Sequence, residues 1–146
     1  MFIKNQNNDY NDNNKYCIRN VMQPSDDGKS IDCYSEQIPT EKNMHRIAGV
    51  MNHFFYLLAQ GTCNGCPSKT CKSIDTNIAT GNSTTHGIGK DNAVSVTCKA
   101  LTNYVTRDST FDSTKISTVR SIVNLFGENS VEHCAVLDCW EAVGVV

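Results

Sequence analysis

His45 stands at the head of the longest apolar-periodic segment of this 146-residue chain. A polar run from Thr40 leads into it, and Ile47, Val50, Met51, Phe54 and Leu58 follow at helical spacing. That spacing predicts one buried stripe on a helix. Gly61 falls where such a helix is capped at its C-terminus. An imidazole at the mouth of a buried helix is fixed by the helix and can still face a cleft, although histidines in such places are commonly structural. Arg19 carries a planar guanidinium whose fixed fork of donors suits a carbonyl or a carboxylate. A surface ion pair with Asp26 or Asp27 is the plainer role for it.

The cysteines offer a second chemistry. Cys63 and Cys66 form a Cys-x-x-Cys pair, and Cys71 lies five residues on. Three thiolates in that spacing resemble half of a metal site, with His86, Cys33 and Cys98 as completing ligands. No second Cys-x-x-Cys follows. Eight cysteines at scattered spacing favour disulfides instead. Cys134 and Cys139 lie five apart on one predicted helix, so their Cβ atoms diverge and each is expected to pair elsewhere. Asp26, Asp27 and Asp32 could supply oxygen ligands to calcium, but their setting predicts turn formation. His53 and His133 read as packing or solvated residues, His86 as exposed, and Trp140 as core.

The elements that must position these groups are helices. Residues 1–16 are rich in Asn and Asp, bury little, and are expected to form a disordered lead. Residues 17–146 make one domain, long enough for a core. A turn is expected over residues 25–29. Residues 62–85 form a Cys-rich loop too long for a simple connection. Beyond Gly89, Val94, Cys98, Leu101 and Val105 recur on one helical face. Ile116, Val119, Val123 and Phe126 repeat the pattern over residues 113–126, closed by Gly127. Asn129 with Glu132 predicts the cap of a last helix, which carries Val136, Trp140 and Val143. Four helices and no period-2 strand predict an all-α bundle.

Net charge is −2 without a long basic run, so a nucleic-acid surface is not expected. No apolar run approaches membrane-spanning length. The first residues lack the apolar core of a signal peptide. The cysteines and the Asn82-Ser83-Thr84 sequon nonetheless point to an oxidising, extracellular setting. The chain is therefore expected to be the C-terminal part of a longer secreted protein.

An ordered series of residues carries a family resemblance. Residues 18–32, then Met44-His45, Gly49-Val50-Met51-Asn52 and residues 55–59, resemble the C-terminal helical domain of thermolysin-like zinc metallopeptidases. The vibriolysin and pseudolysin branch looks nearest. Gly87-Ile88-Gly89-Lys90-Asp91, residues 100–104 and residues 142–145 continue the likeness, leaving 62–85 as an insertion. The resemblance implies that His45 stabilises the oxyanion of peptide hydrolysis, that Arg19 holds a substrate carbonyl, and that Ile18 lines the pocket. Zinc, its His-Glu-x-x-His ligand pair and the general base belong to an N-terminal domain. No His-Glu-x-x-His occurs here, so the isolated chain is expected to be inactive. It would act on polypeptide substrate only with that zinc-binding partner domain.

Four positions set this chain apart. Relatives in the nearest branch carry Asp two residues before the histidine, where this chain has Asn43. Asparagine orients a ring but cannot favour its cation by charge, and the helix N-terminus itself disfavours that cation. Glu41 is the candidate substitute. Small polar residues usually follow the histidine, where Arg46, Ile47 and Ala48 stand here. Asn43, Ile47 and Ala48 motivate an alternative, a non-catalytic, disulfide-stapled helical module that binds other proteins. A Cys-based metal-binding protein is a second alternative.

Overall fold

The computed structural model describes residues 20–35, 38, 41–62, 68–75 and 77–146. The expected lead, with Ile18 and Arg19, lies outside them, as do Cys17, Cys63 and Cys66. The described residues form four α-helices: α1 (Met44–Gln60), α2 (Lys90–Asn103), α3 (Phe111–Phe126) and α4 (Val131–Ala142). A 3-10 turn, Pro24–Asp27, precedes them and ends at Gly28 in the left-handed conformation, φ 71°. Two isolated bridges, Gly61 with His86 and Thr70 with Gly81, are the only β pairing among the described residues. The all-α expectation holds.

α1 is the central element. Val50, Phe54 and Leu58 from the predicted stripe are buried, and Ile47 and Met51 pack partly exposed against the core. Tyr56, Leu57 and Ala59 are buried as well, so the helix is covered on more than one side. It packs against α2, α4 and the 3-10 turn. Trp140 is fully buried on α4 and stacks on Phe54 with ring centroids 3.9 Å apart. Its indole N–H donates to Thr118 Oγ1 at 2.8 Å, which satisfies the ring's polar atom within the core.

The stripe predicted for α2 is corrected, and that for α3 holds in part, with Val119, Val123 and Phe126 packed against the core. α2 buries Ala93, Val96 and Ala100, while Val94, Cys98 and Leu101 are exposed. α3 buries Ser117, Thr118, Ser121 and Ile122; Ile116 is exposed, and Val119, Val123 and Phe126 are only partly buried. α3 lies between α2 and α4, and small side chains fill its contact faces. The hydroxyls can be buried because each donates to a carbonyl of its own helix: Ser117 to Ser113, Ser121 to Ser117, Thr118 to Lys115, at 2.7–2.8 Å. A reading that counts only bulky apolar residues misses this.

The cap of α4 also shifts by one residue. Ser130, not Asn129, is the N-cap, and its hydroxyl accepts from the His133 N–H at 3.0 Å. Asn129 takes a left-handed φ of 62°, which asparagine tolerates, and its N–H donates to His133 Nδ1.

Candidate functional site

The mouth of α1 is built by a series of local bonds. Asn43 is the N-cap, and its side-chain oxygen accepts the backbone N–H of His45 at 3.0 Å. That satisfies one of the donors a helix start leaves open. Glu41 accepts the N–H of Asn43 through one carboxylate oxygen at 2.9 Å, and its other oxygen pairs with the Arg46 guanidinium. Arg46 also donates from Nε to the Lys29 carbonyl at 2.5 Å. The Ile31 N–H returns a bond to the Arg46 carbonyl at 3.1 Å. His45 is thus the second residue of the helix and exposed, beside Met44, which is 71% exposed. Glu41, Asn43 and His45 come together as one unit, with Glu41 reaching the histidine through Asn43.

Gly49 allows the loop to lie this close. A Cβ at that position would overlap the Ile31 carbonyl oxygen, so residues 30–32 run directly over the helix backbone. Upstream, the segment that follows Arg19 is firmly seated. Val21 and Met22 are buried. The Asn20 side chain donates to Asp26 at 2.8 Å and accepts the Met22 N–H at 3.1 Å. Asp27 accepts from the Lys29 and Ser30 N–H groups and the Ser30 hydroxyl. Both aspartates are turn formers, as the sequence predicts.

Asp32 has a larger role than the sequence suggests. It is fully buried, and its carboxylate accepts from the Ser25 N–H at 2.7 Å, the Ser25 hydroxyl at 2.6 Å and the Ala79 N–H at 3.1 Å. Those donors occupy the oxygens a cation would need. Behind it lies His53, buried on α1, with Nδ1 3.1 Å from the Asp32 carbonyl and Nε2 3.2 Å from the Ser68 hydroxyl. Burial pushes the His53 pKa below its ordinary value, against the opposing pull of the Asp32 carbonyl and carboxylate. The imidazole is a structural hub that joins α1 to two loops. Its signal in the sequence is weak, a histidine beside an apolar stripe.

The cysteines resolve in part. Cys33 and Cys71 form a disulfide across 38 residues of sequence, fastening the 68–86 segment beside Asp32. The pairing removes both sulfurs from the proposed thiolate site, because a disulfide sulfur is not a thiolate ligand. Cys98, Cys134 and Cys139 are free, which corrects the expectation that the last two are paired. Cys139 sits in the core as a small apolar side chain; burial, with the Asp138 charge, pushes its pKa up to about 12. Among the described residues no group of three or more His, Cys, Asp or Glu could hold a metal ion. The zinc that the resemblance implies is assigned to an N-terminal domain and not to these residues. No described helix is long and apolar enough to cross a membrane.

Comparison with known proteins agrees with this architecture. The profile of the thermolysin metallopeptidase alpha-helical domain matches residues 6–145. A transglutaminase-activating metalloprotease of Streptomyces mobaraensis is 30% identical over 128 residues, covering 88% of this chain and 16% of its own. A bacillolysin of Bacillus cereus is 30% identical over 131 residues, 88% of this chain and 20% of that protein. A thermolysin of Alicyclobacillus acidocaldarius matches at the same identity, over 21% of its length. The chain spans about a fifth of the length of these curated relatives. It belongs to the thermolysin metallopeptidase family, as the family's alpha-helical domain.

Proposed function

We propose that this chain is the helical C-terminal half of a secreted zinc metalloendopeptidase. In that role it supplies one wall of the cleft, and zinc and the general base come from an N-terminal domain. The observation that carries the reading is His45 at the exposed mouth of α1, held there by the Asn43 cap. Hydrolysis of a peptide bond passes through a tetrahedral oxyanion, and a preorganised donor on the cleft wall stabilises it more than it stabilises the ground state. His45 is that donor. Arg19, next to the firmly seated Asn20, binds a substrate carbonyl, and Ile18 lines the adjoining pocket. The Cys33–Cys71 disulfide and the exposed sequon at Asn82 support an extracellular setting. Asn43 departs from the vibriolysin and pseudolysin branch, which carries a carboxylate at that position.

The test is peptide cleavage by the purified chain, alone and mixed with the zinc-binding N-terminal domain of a bacillolysin. The account expects no cleavage by the chain alone and cleavage by the mixture. Robust cleavage by the lone chain would refute the division of labour. The non-catalytic reading is favoured by Asn43, Ile47 and Ala48, and it expects neither preparation to cleave.

A further inference from the structure

Arg46 makes a pair of bonds that the proposed chemistry has not used. Its Nε donates to the Lys29 carbonyl and its Nη1 to the Glu41 carboxylate. Glu41 in turn accepts the Asn43 N–H, and Asn43 accepts the His45 N–H. A continuous series of bonds therefore runs from the turn at residues 24–30 to the residue that bears the imidazole. Asp27 fixes the turn end of the series through the Lys29 and Ser30 amides. Asn20 joins the same turn through Asp26, and Asn20 directly follows Arg19 in the chain.

We infer that Arg46 is a positioning residue, which with Glu41 sets the placement of His45 relative to the turn at residues 24–30. The inference rests on the peptidase reading above. The ion pair is partly exposed, with side-chain accessibilities of 38% for Arg46 and 21% for Glu41. Such a pair contributes little to stability, so its consequence is geometric. The helix N-terminus disfavours a cation, and Glu41 offsets that cost. A planar guanidinium serves two acceptors in different directions with one rigid group; a lysine ammonium on its flexible stem does not reproduce that fork. Reacting groups tolerate little displacement, since an error of about 1 Å can cost on the order of 10²-fold in rate.

The test uses Arg46→Ala and Arg46→Lys, the second keeping the charge without the fork. Amide hydrogen exchange at Asn43 and His45 in the whole chain is expected to quicken about tenfold in both variants, a tenfold change being a modest loss of local protection. Amides of α3 should not change. In the mixture with a zinc-binding N-terminal domain, kcat is expected to fall between about tenfold and 10²-fold, with KM nearly constant. Unchanged exchange at His45, or an unchanged kcat, overturns the positioning role while leaving the peptidase reading standing. Absence of cleavage by the unsubstituted mixture overturns the peptidase reading, and the positioning role falls with it.

Discussion

The helix-packed end of the molecule and the loop-wrapped end around Asp32 bury their atoms by opposite means. Where α2, α3 and α4 meet, the buried side chains are small or apolar, and the hydroxyls bond within their own helix. Distant polar bonds are few there: the Trp140 indole to Thr118, Lys115 Nζ to the Val145 carbonyl and the Asn124 amide to the Tyr104 hydroxyl. Around Asp32 the reverse holds. A buried carboxylate, an imidazole and a disulfide join residues far apart in sequence. Helix packing is non-directional and tolerates change; a polar hub depends on each partner, because a buried group left unbonded bears its full desolvation cost. The candidate site lies where the two styles meet, on an apolar helix whose first turn is tied to a polar loop.

That contrast predicts different failures at the two ends. Trp140→Ala removes the largest buried side chain and is expected to cost about 3–5 kcal/mol, with all helices lost in one transition in urea. Loss of only one helix would show that the bundle is not a single unit. Replacing Cys33 and Cys71 by serine should cost about 4 kcal/mol on loop-closure grounds. Protection from hydrogen exchange should then be lost first in residues 68–86. Equal loss of protection in α3 would erase the distinction between the ends.

The His53 imidazole should give the loop-wrapped end its own pH dependence. Its pKa is lowered by folding, so the unfolded chain binds the proton more readily. Stability is complete above the unfolded value of 6.5 and declines as pH falls below it. The slope is at most about 1.4 kcal/mol per pH unit, until the folded imidazole also titrates. His53→Gln should remove that slope, read from denaturant midpoints between about pH 7 and 5. A slope that persists in the variant would assign the effect to carboxylates. The smallest effect concerns thiols. Cys98 and Cys134 should alkylate in the native protein, whereas Cys139, buried and with its pKa pushed up to about 12, should react only on unfolding.

The two ends also differ in how far they can be read from sequence. The α1 stripe is legible because Val50, Phe54 and Leu58 are large, apolar and evenly spaced. The place of His45 is legible for a related reason: a helix start is a local event, and Asn43 and Gly61 mark its limits. The buried face of α2 is not legible, because close helix contact selects Ala93 and Ala100 over Val94 and Leu101. The hub at Asp32 is hidden for a different reason. Its partners, Ser25, Ala79 and His53, are brought together only by the tertiary fold. The bond from Arg46 to Lys29 spans 17 residues and has no periodic signature at all.

The most direct trial of the peptidase account is His45→Ala, assayed for peptide cleavage in the presence of a zinc-binding N-terminal domain. The account predicts a fall in kcat on the order of 10²- to 10³-fold, with KM and bound zinc unchanged. A kcat that stays within about twofold of the parent, a difference too small for a lost oxyanion donor, would contradict it.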